Sequence, residues 1–76
     1  LLKHARDQTY LLQRATNYEL AKEFDKALAD YDTIIKMDKK EVMAYEQRAR
    51  IYRKLGKLDL AVKDEAVAMS LIHGVR

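Results

Sequence analysis

An all-α fold of antiparallel helix pairs is what this chain predicts, on three observations. Apolar residues recur with the 3.6-residue period of a helix from one end to the other. The 76 residues include no proline and only two glycines, Gly56 and Gly74, too few turn residues for an all-β fold. The chain also repeats itself at a spacing of 34 residues, with Gln13, Arg14, Ala15 and Tyr18 matching Gln47, Arg48, Ala49 and Tyr52. Asp25, Ala27 and Asp30 match Asp59, Ala61 and Asp64 in the same register.

The elements follow in order. Leu11, Ala15 and Tyr18 mark the apolar face of a first helix. A break near Ala21–Glu23 separates it from the clearest stripe of the chain: Phe24, Ala27, Leu28, Tyr31, Ile34 and Ile35 fall at i, i+3, i+4, i+7, i+10 and i+11. A second break near Asp38–Lys40 leads to a third helix carrying Tyr45, Ala49 and Tyr52. A third break near Leu55–Lys57 leads to a fourth, whose core face is expected at Leu58, Ala61, Val62, Ala68, Met69 and Ile72. Connections this short join antiparallel neighbours. Asp25 and Asp59 open the second and fourth helices, where a carboxylate complements the helix dipole and is expected to cap. His73 falls at the C-terminal end of the last helix, where a cation is favourable. Residues 1–7 align on the same period with 35–41 and read as the end of a preceding helix or an extension of the first.

A two-helix unit repeating every 34 residues resembles the tetratricopeptide repeat, or TPR, family. In the second unit Tyr45, Ala49 and Tyr52 take the aromatic and small-residue sites of the first helix. Gly56 takes the turn, and Ala61 and Ala68 take the alanines of the second helix. In the first unit Ala15, Tyr18, Ala27 and Tyr31 match. The alanines suit places where two helix backbones approach closely. Gly56 adopts positive φ without strain, whereas Lys22 occupies the equivalent place in the first unit and predicts a differently built or strained turn. Arg14 and Arg48 stand where leucine is usual, Leu11 and Ile34 replace an aromatic and an alanine, Lys39 and His73 replace the closing proline, and Glu65 replaces a second-helix aromatic. The resemblance implies a right-handed superhelical array of antiparallel helix pairs in one domain. Residues 8–41 form the first repeat and 42–75 the second, with 1–7 as the helical segment before them.

Composition excludes several chemistries. Without cysteine there is no disulfide framework, thiolate metal site or cysteine nucleophile, and two isolated glycines make no phosphate loop. No nucleophile, base and orienting group stand together. His4 and His73 lie near opposite ends, and Ser70, the only serine, has only His73 near it on the helix. No catalytic residue, metal site or cofactor is therefore assigned, and the chain is expected not to be an enzyme. Asp25, Asp30, Asp32, Asp38, Asp59, Asp64 and Glu65 are expected mostly on the solvent side of the second helices. The repeated pairs Arg14 with Asp30 and Arg48 with Asp64 predict one structural ion pair used twice.

Function is sought on the surface. The TPR resemblance implies a protein-interaction module that takes a peptide or helix in a groove lined by the first helix of each unit. Carried across, the groove positions are Thr9, Leu12, Thr16, Glu19 and Leu20 in the first unit. In the second they are Met43, Glu46, Arg50, Arg53 and Lys54. The net charge of +3 is uneven, with residues 1–38 summing to −1 and residues 39–76 to +4, so the expected ligand carries an acidic stretch over the second unit and an apolar anchor near Leu12 or Leu20. The carboxylate clamp used by one TPR subfamily on chaperone tails is not matched, because its sites fall on Leu12, Thr16, Glu46 and Arg50. Nucleic-acid binding through Arg48, Arg50, Arg53, Lys54 and Lys57 is the rival reading, opposed by tyrosines committed to the core. Leu60, Val67 and Leu71 add a further apolar face to the last helix and predict self-association or a continuing array. No apolar run reaches the ~18–20 residues of a membrane span. The chain opens on Leu1 and reads as a fragment, with a cytoplasmic location expected from the absence of cysteine and of a visible targeting segment.

Overall fold

The computed structural model describes residues 2–74, with side chains from residue 6 onward. They form four helices and, among the described residues, no strand: α1 Leu2–Leu20, α2 Phe24–Met37, α3 Val42–Lys54 and α4 Leu58–His73. The connections are the three short segments that the periodicity marks. Residues 2–7 belong to α1 without a break. None of these helices is long and apolar enough to cross a membrane.

The side-chain bonds give the helix directions. Arg14 on α1 pairs with Asp30 on α2, and Gln8, further from the turn, reaches Asp38 beyond the far end of α2. These pairs converge on the turn at residues 21–23, so α1 and α2 are antiparallel. Tyr31 with Gln47 and Asp32 with Arg48 join α2 to α3, which are antiparallel because α3 runs with α1. Gln8 with Glu41, Thr16 with Gln47 and Glu19 with Arg50 keep a nearly constant offset, so α1 and α3 run parallel, side by side. The result is a slab of helices only 15 Å thick in its shortest Cα dimension.

The α1–α2 and α3–α4 turns are built alike despite their different residues. The N–H of Lys22 donates to Glu19 and that of Glu23 to Tyr18. Thirty-four residues on, Gly56 donates to Arg53 and Lys57 to Tyr52. This is the double bond of a Schellman cap, which requires a left-handed residue at its corner. Gly56 supplies φ +77°, and Lys22 is held at φ +62°. The first turn therefore keeps the geometry and carries the strain. Asp38 organises the middle connection, its carboxylate accepting from the Lys40 N–H and its carbonyl from the Glu41 N–H.

Asp25 and Asp59 are not caps. Glu23 and Lys57 occupy the cap positions and make no side-chain cap bond, while both aspartates lie in the first turn. What they provide is charge at the positive end of the helix dipole. At α3 the Glu41 carboxylate accepts from the Met43 N–H.

The main core belongs to α1, α2 and α3: Ala15, Ala27, Tyr31, Ile34, Ala44 and Ile51 are fully buried, flanked by Leu11, Leu12, Tyr18, Phe24, Leu28 and Ile35. Between α3 and α4, Ala49, Ala61 and Ala68 are buried, and the Arg48–Asp64 and Arg53–Glu65 bonds cross from one helix to the other. The expected core face of α4 is divided. Ala61 and Ala68 are buried, but Leu58, Val62, Met69 and Ile72 are exposed. At 100° per residue these four lie on a stripe rotated away from α3, and no fifth helix lies against it among the described residues. Leu60, of the other apolar set, is exposed, while Val67 and Leu71 are half-buried.

Candidate binding groove

Each repeat unit is pinned by the same polar centre. Arg14 Nε and Nη2 donate to the two oxygens of Asp30 at 2.8 and 2.7 Å. Arg48 does the same to Asp64, at 2.7 Å for both bonds. Both aspartates are only 4% exposed, which overturns their expected place on the solvent side. A buried carboxylate needs such a partner, and the planar guanidinium supplies two parallel donors. The arginines are also held between aromatic rings, Arg14 between Tyr10 and Tyr18 and Arg48 between Tyr45 and Tyr52. This stacking explains arginine where an aliphatic residue would otherwise pack. Arg48 additionally donates to Asp32 at 2.8 Å, tying the second unit to the first.

The predicted groove residues divide into two groups. At one end stands Glu19, 6% exposed. Arg50 grips it with bonds of 2.7 and 3.0 Å, and Lys54 approaches to 3.5 Å. The hydrogen bonds from Arg50 hold the Glu19 carboxyl below its ordinary pKa, against the opposing effect of burial. Arg53 is likewise engaged, donating to Glu65 at 2.6 and 2.7 Å. The three expected cations thus face two carboxylates of the chain itself, Arg50 and Lys54 sharing Glu19 and Arg53 holding Glu65. Leu20, by contrast, is 78% exposed beside this clasp, and Thr9 and Glu46 are exposed elsewhere on the surface.

Toward the other end, α1 and α3 enclose an open concavity of about 390 Å³ lined by Leu12, Gln13, Thr16, Asn17, Met43 and Gln47. Leu12, Thr16 and Met43 are among the positions expected from the sequence. Gln13, Asn17 and Gln47 are not, although Gln13 and Gln47 are themselves a repeat match. Their spacing gives the signal, since Gln13 and Asn17 lie one turn apart beside Leu12 and Thr16. The Gln47 carbonyl accepts from Tyr31, Thr16 and Arg50, which fixes the amide plane. Its Nε2 makes no hydrogen bond among the described residues. Burial raises the Tyr31 hydroxyl above its usual pKa, so it remains a donor to Gln47.

Other chemistry is sparse. Among the described residues no three His, Asp or Glu side chains converge as metal ligands. Every buried side-chain nitrogen or oxygen among them has a hydrogen-bond partner. Ser70 and His73 are exposed on α4, and the side chain of His4 lies outside the described residues. Of the cations considered for nucleic-acid contact, Arg48, Arg50, Arg53 and Lys54 are all in ion pairs, leaving Lys57 outside them. Comparison with protein-family models, with curated proteins and with solved structures finds no match.

Proposed function

We propose that the chain is a TPR-like, non-enzymatic interaction module whose α1–α3 groove takes an uncharged segment of a partner protein. The observation that carries this reading is the gathering of two apolar side chains, Leu12 and Met43, with three amides, Gln13, Asn17 and Gln47, in one open concavity. A primary amide carries both donor and acceptor groups and can pair with both groups of a peptide backbone. Leu12 and Met43 offer an apolar anchor, and the thioether adapts its shape to different occupants. Two units of a right-handed helical array would present such a groove along the first helices, and the 34-residue correspondence of ion pairs and turns supports that arrangement.

The acidic stretch expected from the charge distribution is dropped from the proposal. At the two arginines an incoming carboxylate would have to displace Glu19 from Arg50 or Glu65 from Arg53, exchanging one ion pair for another with little net gain, which leaves the half-exposed Lys54 as a single surplus charge. The same pairing weakens the nucleic-acid reading, because phosphate binding draws on uncompensated cations.

The test is selection of binders from a random peptide display library, followed by calorimetry on the best sequences. The expected consensus has an apolar anchor and no acidic enrichment, and Asn17→Ala or Met43→Glu weakens binding at least tenfold. An acidic consensus with steep salt dependence would overturn the uncharged-ligand reading. Binding unaffected by both substitutions would move the site elsewhere.

A further inference from the structure

The exposed stripe of α4 has an internal counterpart that shows what such a surface does. Moving back 34 residues, Leu58, Val62, Glu65 and Met69 become Phe24, Leu28, Tyr31 and Ile35 on α2. There Tyr31 is fully buried and the other three pack against the main core, with Gln47 and Lys54 of α3 lying against Tyr31 and the Phe24 ring. On α4 the same band is open, with Leu58, Val62, Met69 and Ile72 each more than half exposed. Beside it, Ala68, Met69, Ile72, Glu46 and Glu65 line a concavity of about 300 Å³. The stripe is thus shaped to receive an antiparallel helix, as α2 receives α3.

We infer that the occupant is α4 of a second copy of this chain, in an antiparallel, two-fold symmetric dimer. The stripe is nearly palindromic about Glu65, with Leu58 seven residues before it and Ile72 seven after, and Val62 three before and Met69 four after. An antiparallel pairing centred there sets Leu58 against the partner's Ile72 and Val62 against the partner's Met69. An isologous interface requires this self-complementarity. The two Glu65 carboxylates meet near the axis, and each is already gripped bidentately by its own Arg53. At the stripe's ends, Lys57 immediately precedes Leu58 and Glu46 lies beside Ile72. Neither has an ion-pair partner among the described residues, and the pairing brings each to the other's end.

Head-to-tail stacking is disfavoured by α1. Its equivalents of the buried Ala44 and Ile51 are Tyr10 and Asn17, and burying Asn17 in the place of an isoleucine would strand its amide. A single-helix contact falls short of the roughly 800 Å² per partner of a standard interface, so the dimer is a reversible one.

Sedimentation equilibrium on the 76-residue chain from about 1 to 500 μM is expected to show a monomer–dimer equilibrium. Met69→Glu is expected to raise the dissociation constant more than about thirtyfold, while Leu60→Lys, off the stripe, leaves it unchanged. Circular dichroism on both variants separates loss of association from loss of fold. Because the chain has no cysteine, register is read by cross-linking. Glu65→Cys should form a disulfide dimer on air oxidation, and Leu58→Cys should not. A wild-type monomer throughout, higher head-to-tail oligomers, sensitivity to Leu60→Lys alone with Met69→Glu silent, or self-cross-linking at position 58 would each overturn the inference.

Discussion

Lys22 is the residue at which local preference and tertiary geometry conflict most openly. A Schellman turn needs a left-handed corner, and an L-residue there costs about 1 kcal/mol relative to glycine. Lys22→Gly should therefore stabilise the chain by about that amount, read as a rise in the thermal midpoint. Gly56→Ala should cost a similar amount, even though nothing lies within 4 Å of the added Cβ, because the penalty lies in φ and not in space. Glu19 poses the complementary case of a buried charge. Its carboxyl is held below its ordinary pKa of 4.5 by the Arg50 hydrogen bonds. A depressed carboxylate pKa means that the clasp contributes in full above the unfolded value and is lost as pH falls through the folded one. Stability should fall as pH drops below about 4.5. Glu19→Gln should flatten part of that slope and lower neutral-pH stability by about 1 kcal/mol, a modest figure because Arg50 and Lys54 are half exposed.

Between elements, the two hairpins share one device at two depths. The Arg14 side chain is 41% exposed and that of Arg48 19%, while their aspartate partners are equally hidden. A more desolvated pair couples more strongly, and its loss leaves a more costly orphan charge. A double-mutant cycle on Arg48 and Asp64 should give a coupling of about 2 kcal/mol, against about 1 kcal/mol for Arg14 and Asp30. Equal couplings would show that solvent reaches both sites alike. The repeated Arg and Asp were legible in the sequence because identical residues recur at one spacing. Their burial was not, since it depends on the tyrosine rings stacked over each guanidinium. The same limit applies to the groove cations. Arg50, Arg53 and Lys54 form a basic cluster in the sequence, but Glu19 and Glu65 are brought to them from other helices.

At the scale of the molecule, a slab 15 Å thick cannot enclose all its apolar surface. Three helices share the main core, and α4 rests on α3 through alanines. Ile51, fully buried between the units, is the main aliphatic contribution of α3 to that core. Ile51→Ala should cost about 2–4 kcal/mol, measured by urea denaturation, and in so small a chain that is a large share of the total. The periodicity and the 34-residue match by themselves determined that the chain is helical, where its turns fall and which residues repeat, because these follow from local hydrogen bonding and from faces set at 100° per residue. Only the tertiary structure decided which of α4's apolar faces meets α3, which charges cancel, and which amides converge on the α1–α3 concavity. Those outcomes depend on the relative placement of helices distant in the chain, and a helical period carries no record of which neighbour will cover a given face.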